Sequence, residues 1–217
     1  MIEARAALAR LRTGNQRFVE GTDAQHRQTS AERRDTLMGG QDPLAIVLGC
    51  SDSRVPAEFV FDQGLGDLFV IRVAGNVVAP SQIGSIEFAA ERFGTRLVVV
   101  LGHTQCGAVE ATLEELERPS EHRSPNLSSI VDRIRPSVEE LLAAHDGGDR
   151  ADLIHQAVRS NIHHSAAHVR SGSQILKRLI QDDGLLVVEA EYSLESGFVE
   201  FFDEAHATAG SDGNPLD

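Results

Sequence analysis

The stretch Arg96-Leu97-Val98-Val99-Val100-Leu101-Gly102-His103-Thr104-Gln105-Cys106 joins an unbroken apolar run, Leu97 to Leu101, to a short polar segment. Val-rich runs without alternation suit strands buried on both faces of a parallel sheet. Three further runs match it: Leu44-Ala45-Ile46-Val47-Leu48, Leu68-Phe69-Val70-Ile71 within residues 67–73, and Leu185-Leu186-Val187-Val188. Between the second and third lies a helical stripe, Ile83, Ile86, Ala90 and Phe93, opened by Pro80-Ser81, which makes a βαβ unit. Upstream, Ala4, Ala7, Leu8, Leu11 and Phe18 predict an amphipathic helix over 3–19, a polar loop over 20–30 and a short helix over 31–38. Downstream, the pattern predicts a helix over 108–117 and a surface loop over 119–126. A helix carrying Ile130, Ile134, Val138, Leu141 and Leu142 comes next. A long helix from Leu153 to Ile180, bent at Gly172, and an edge strand over Phe198–Phe202 complete the pattern. The expected fold is α/β, a mostly parallel central sheet of four to five strands flanked by helices. One domain is expected over 1–206, with a flexible tail over 207–217.

Composition narrows the function classes. The chain has 217 residues, of which 41% are apolar, too many for a disordered chain. Its 33 acidic and 20 basic residues give a formal charge of −13, which repels nucleic-acid phosphates and anionic membrane surfaces. No apolar run approaches the ~20 residues of a membrane span. The N-terminus, Met1-Ile2-Glu3-Ala4-Arg5, lacks an apolar signal segment, so a cytoplasmic setting is expected. Two cysteines exclude a disulfide scaffold.

Those cysteines are placed, not scattered. Cys50 follows the first strand, His103 follows the third, and Cys106 lies three residues beyond. Open α/β sheets bind ligands beyond the carboxyl ends of their strands. Thiolate, imidazole and thiolate form a zinc set, and three protein ligands leave a fourth position for water, as catalytic sites do. Asp52 is a candidate to close that position. Two inert buried cysteines, or a Cys50–Cys106 disulfide, are the plain alternatives. Asp52 and Arg54 sit two residues apart beside the first ligand. A guanidinium grips and orients a carboxylate and lowers its pKa, leaving Asp52 an acceptor.

Cys50-Ser51-Asp52-Ser53-Arg54 with His103-Thr104-Gln105-Cys106-Gly107 resembles the β-class carbonic anhydrases. The resemblance extends through Leu11-Arg12-Thr13-Gly14-Asn15-Gln16-Arg17-Phe18, Asp67 to Asn76, and Gly84-Ser85-Ile86-Glu87-Phe88-Ala89, spanning about residues 3 to 202. It implies one Zn²⁺ per chain held by Cys50, His103 and Cys106, with Asp52 and Arg54 as the catalytic dyad. The implied reaction is reversible hydration of CO₂ to bicarbonate, by attack of zinc-bound hydroxide. By the same resemblance Gln41, Phe69, Phe88 and Gly107 form the substrate pocket; Phe88 stands where many plant relatives carry tyrosine. It also implies a homodimer or dimer-based tetramer, with N-terminal helices packed on the partner.

A bicarbonate-inhibited subgroup has tryptophan where this chain has Val47, although Arg72 and Tyr192 match two further residues of that subgroup's site. The chain has no tryptophan, so Asp52 is expected off the metal. Two thiolates temper the metal's charge, so activity is expected to rise between pH 7 and 9. Relatives that hydrolyse CS₂ or carbonyl sulfide, and a non-catalytic zinc-binding relative, are the alternatives; Asp52 and Arg54 argue against the latter. A nicotinamide fingerprint fails at Gly64-Leu65-Gly66-Asp67-Leu68-Phe69, which leads into a strand. His26, His122, His145, His155, His163, His164, His168 and His206 read as solvated surface or helix packing. His163, His164 and His168 share about one helical turn but lack a supporting carboxylate.

Overall fold

The computed structural model describes residues 2–23, 29–119 and 124–202. The elements run α1 (Ala4–Glu20), α2 (Ala31–Thr36), β1 (Ala45–Gly49), α3 (Ala57–Val60), β2 (Leu68–Arg72), a 3-10 turn (Ala74–Asn76) and α4 (Pro80–Arg92). They continue with β3 (Leu97–His103), α5 (Gly107–Glu117), α6 (Pro125–Ala144), α7 (Arg150–Ser171), α8 (Gln174–Asp182), β4 (Leu186–Tyr192) and β5 (Val199–Phe201). The sheet order is β2-β1-β3-β4-β5. The first four strands are parallel and β5 is antiparallel to β4, so the expected α/β architecture is the observed one.

β1 and β3 are buried along their whole lengths, as their unbroken apolar runs require. Successive strand side chains point to opposite faces. Ile46, Leu48, Val98 and Val100 therefore enter one core with Ile83 and Ile86 of α4 and Val158, Ile162 and Val169 of α7. Ala45, Val47, Val99 and Leu101 enter the other with Ala7, Leu8 and Leu11 of α1 and Phe61. Buried Asn15 of α1 ties this second layer together. Its Nδ2 donates to Val60 O (3.0 Å) and Gly197 O (2.9 Å), and its Oδ1 accepts from Val199 N (2.8 Å). Gly14 makes the approach possible, because a Cβ there would lie 1.8 Å from Phe61 O.

Two expectations are corrected. The loop expected over 119–126 ends early. Ser124 caps α6, accepting from Asn126 N (3.3 Å), and Pro125 and Asn126 already lie in its first turn. Proline suits that turn because it needs no N–H there. The long helix expected to residue 180 is two helices. Gly172 closes α7, and Ser173 starts α8 by accepting from Leu176 N (3.1 Å). A Cβ at residue 172 would lie 2.7 Å from His168 O, so glycine marks a break rather than a bend. The short α3 and the 3-10 turn at Ala74–Asn76 are additional to the expected elements. Residues 120–123 of the expected loop, the domain end at 206 and the tail 207–217 lie outside the described residues, as do His26, His122 and His206. No helix among the described residues is long and apolar enough to cross a membrane.

Candidate metal centre

Because β1 and β3 are parallel neighbours, with Gly49 opposite Leu101, their carboxyl ends open at the same edge of the sheet. Cys50 is the first residue past β1, His103 ends β3, and Cys106 is the N-cap of α5. Gln105, in the left-handed region (φ 55°), turns the chain between His103 and Cys106. One ligand atom from each of Cys50, His103 and Cys106 lies within 4.8 Å of the others, and all three residues are buried. Among the described residues this is the group of three so arranged; His163, His164 and His168 form none.

The donor set fits a soft divalent cation. His103 Nδ1 faces Thr104 O at 2.9 Å, which assigns its proton there and leaves Nε2 as a lone-pair donor. Nε2 is buried without a hydrogen-bond partner. Such an orphan is costly unless a ligand completes it. The two sulfurs stand 4.0 Å apart, far beyond a disulfide and close to the roughly 3.8 Å of two thiolates on one tetrahedral zinc. The hydrogen bond between the two sulfurs pulls the Cys50 thiol down, against its burial. Cys106 is pushed up by the same bond and by its own burial. A bound dication would let both thiols ionise.

Around the cluster, Asp52 lies against Arg54. Arg54 Nε and Nη2 donate to Asp52 Oδ1 and Oδ2 at 2.9 and 2.7 Å, and Arg54 N donates to Oδ1 at 2.9 Å. This bidentate grip holds the Asp52 carboxyl well below the usual carboxylate range, with partial burial working the other way. Asp52 Oδ2 stands 3.9 Å from His103 Nε2. Arg72, at the end of β2, donates to Cys50 O (3.1 Å) and Asp52 O (2.6 Å), so it pins the backbone that carries both residues. Tyr192, opposite His103 in register, is buried 6.5 Å from the Phe18 ring. Val47 packs in the core on the α1 face.

The residues expected to form the substrate pocket fall in three places. Gly107 opens α5 next to Cys106, and a Cβ there would meet nothing within 4 Å. Gln41 is exposed ahead of β1. Phe69 of β2 and Phe88 of α4 pack on each other (6.2 Å) and on Phe93 (6.1 and 5.6 Å) at the β2 edge, with Phe88 54% exposed. Their ring contacts are with one another. The remaining described histidines are elsewhere: His145 is the C-cap of α6, His155 lies 3.3 Å from Glu191, His163 lies 3.2 Å from Glu189, and His164 and His168 line a cleft between α4, α6 and α7. Two contributors escaped sequence reasoning. Gly75 N donates to Cys50 Sγ at 3.4 Å, and Asn161 Nδ2 of α7 donates to Gly75 O at 2.8 Å.

Comparison with known proteins agrees with this geometry. Residues 45–199 match the family model described as carbonic anhydrase. Carbonic anhydrase 2 of Mycobacterium tuberculosis is 40% identical over 194 residues, covering 88% of this chain and 89% of its own. The carbonic anhydrase of Mycolicibacterium smegmatis is 40% identical over 195 residues, covering 90% and 91%. Among solved structures, the β-carbonic anhydrase CafA of Aspergillus fumigatus superposes with a TM-score of 0.71 at 28% identity, covering 92% of this chain and 90% of that one. A tetrameric β-carbonic anhydrase of Sordaria macrospora superposes with a TM-score of 0.66 at 26% identity, covering 77% and 84%. With a family match over most of its length and a Cys–His–Cys cluster at the strand ends, the chain belongs to the β-carbonic anhydrases, enzymes whose general reaction is the hydration of carbon dioxide.

Proposed function

We propose that this chain hydrates CO₂ reversibly to bicarbonate and a proton, using one Zn²⁺ held by Cys50, His103 and Cys106. The observation that carries the reading is the buried, partnerless Nε2 of His103 beside two buried sulfurs 4.0 Å apart. Bound there, zinc would acidify a water molecule and supply the nucleophile at neutral pH. The protein's own residues set the rest. The Thr104 carbonyl fixes the His103 tautomer, and Arg72 fixes the chain between Cys50 and Asp52. Arg54 keeps Asp52 ionised and aimed, so that one carboxylate oxygen can accept and hold the proton of the attacking group. With both oxygens held by Arg54, Asp52 would not serve as a metal ligand, and a bound zinc would remain open to water. Gly107 leaves room beside Cys106 for CO₂.

Gln41, Phe69 and Phe88 belong in this reading to a pocket completed across a dimer interface. The exposed Phe88 and its aromatic cluster at the sheet edge support that placement. The assembly is a dimer or dimer-based tetramer, and the chain acts as one domain in the cytoplasm. Stopped-flow CO₂ hydration at pH 8.5 on zinc-loaded protein tests the function, with Cys50→Ala as the blank. Fast turnover that the variant lacks is expected, and it should rise from pH 7 to 9. Turnover no greater than that of the blank, with zinc bound, would overturn the reading.

A further inference from the structure

We propose that Asn161 is a positioning residue for the metal centre, holding Gly75 so that its N–H stays on the Cys50 sulfur. The proposal rests on the reading of Cys50 as a metal thiolate. Gly75 is gripped at both ends, its N–H donating to Cys50 Sγ (3.4 Å) and its C=O accepting from Asn161 Nδ2 (2.8 Å). It lies in the left-handed region (φ 66°), and Asn76 follows at φ 43°. Two successive residues in that region persist only where their surroundings hold them. A Cβ at residue 75 would lie 2.8 Å from Ile134 Cδ1 and 3.2 Å from Ala108 Cβ, so the segment is wedged against α6 and α5. Asn161 closes the remaining side from α7.

A packing role alone explains Asn161 poorly. It is buried, and its Oδ1 has no hydrogen-bond partner. A buried polar group left half satisfied costs stability that an apolar residue of similar size avoids. The Nδ2 bond to Gly75 is the interaction it makes in return. The chemical consequence falls on sulfur. An N–H donor draws electron density from a thiolate, weakens its donation to a bound cation and leaves that cation a stronger Lewis acid. Letting Gly75 drift would leave Cys50 more electron-rich without removing any ligand.

The test uses cobalt(II)-substituted full-length protein and reads the sulfur-to-cobalt charge-transfer band. Asn161→Leu keeps the volume and removes the donor; Asn161→Ser is the milder companion should the leucine variant fail to fold. Val158→Ala, one turn away in the same helix and remote from the cluster's hydrogen bonds, controls for destabilisation. The expected result is a band shifted to lower energy in the Asn161 variants but not in Val158→Ala. With a more electron-rich sulfur the cation becomes a weaker Lewis acid, so kcat should fall with KM little changed. In wild-type protein loaded with cadmium-113, the Gly75 amide should show scalar coupling to the metal through the N–H···S bond. An unmoved band in the Asn161 variants, or the same shift in Val158→Ala, would overturn the positioning role. A wild-type protein with no sulfur-to-cobalt band at all would overturn the metal-centre reading itself.

Discussion

Gly102 shows how closely the site is built at the level of single residues. It precedes His103, and a Cβ there would lie 2.4 Å from Cγ1 and 2.5 Å from Cδ1 of the fully buried Ile162. Gly102→Ala should cost about 1–3 kcal/mol by overpacking. Combined with Ile162→Ala, the loss should be smaller than the sum of the two single losses, because one variant opens the space the other fills. Urea unfolding followed by circular dichroism measures this, and strict additivity would show that the two positions do not compete. Asp52 and Arg54 define a second case. Asp52 is depressed in the folded protein by Arg54, so its charge persists across the assay range. In Arg54→Met the carboxyl should return toward its ordinary ~3.9. CO₂ hydration at pH 8.5 should fall by about 10–100-fold through lost orientation. The deficit should stay constant from pH 7 to 9, because a freed carboxyl near ~3.9 remains ionised throughout that range. A deficit that changes across it would show that Arg54 acts on a titrating group other than Asp52.

Between elements, α7 is tied to the strand ends by charge as well as by packing. Arg159 reaches Glu191 of β4 (3.1 Å) and Glu200 of β5 (2.7 and 3.2 Å), and its guanidinium lies 4.0 Å from the Phe202 ring centre. Glu191 is buried, so Arg159→Ala leaves its carboxylate with His155 alone and should cost about 3 kcal/mol. Glu200 is held below its ordinary value by Arg159. Its contribution to stability is therefore present above the ordinary ~4.3 of a glutamate and is lost as pH falls through the folded value. The difference in melting temperature between wild type and Glu200→Gln should hold from pH 7 to about 5 and close as pH falls below ~4.3. A difference that grows in acid would contradict the pairing. The periodicity of α7 was legible in Val158, Ile162 and Val169, but the break into α8 was not. The stop depends on His168 crowding Gly172 and on Ser173 capping the next turn. A glycine within an apolar stripe does not announce either.

For the whole molecule, the open question of surface is the β2 edge. Phe69, Phe88 and Phe93 form one aromatic cluster there, and Phe88 is half exposed. The proposed dimer covers this cluster and draws it into the partner's pocket. Sedimentation velocity should give a dimer or larger species at micromolar concentration, and Phe88→Glu should shift it toward monomer while lowering CO₂ hydration. A monomeric wild type with full activity would place the whole pocket within one chain.

The sequence by itself determined the sheet, its mostly parallel strands and the three candidate ligands. Those features are carried by local patterns: unbroken Val-rich runs, and a cysteine or histidine directly past a run's end. Parallel neighbouring strands then bring Cys50 and His103 together without further information. Only the tertiary structure decided what surrounds the cluster. Asn161 lies 86 residues from Gly75, and Arg72 reaches back 22 residues to Cys50. Neither bond leaves a period or a spacing in the chain, because each depends on where a helix face or strand edge docks after folding. Asn161 is a polar residue on the buried face of α7, and only the Gly75 carbonyl brought against it by folding gives that amide its partner.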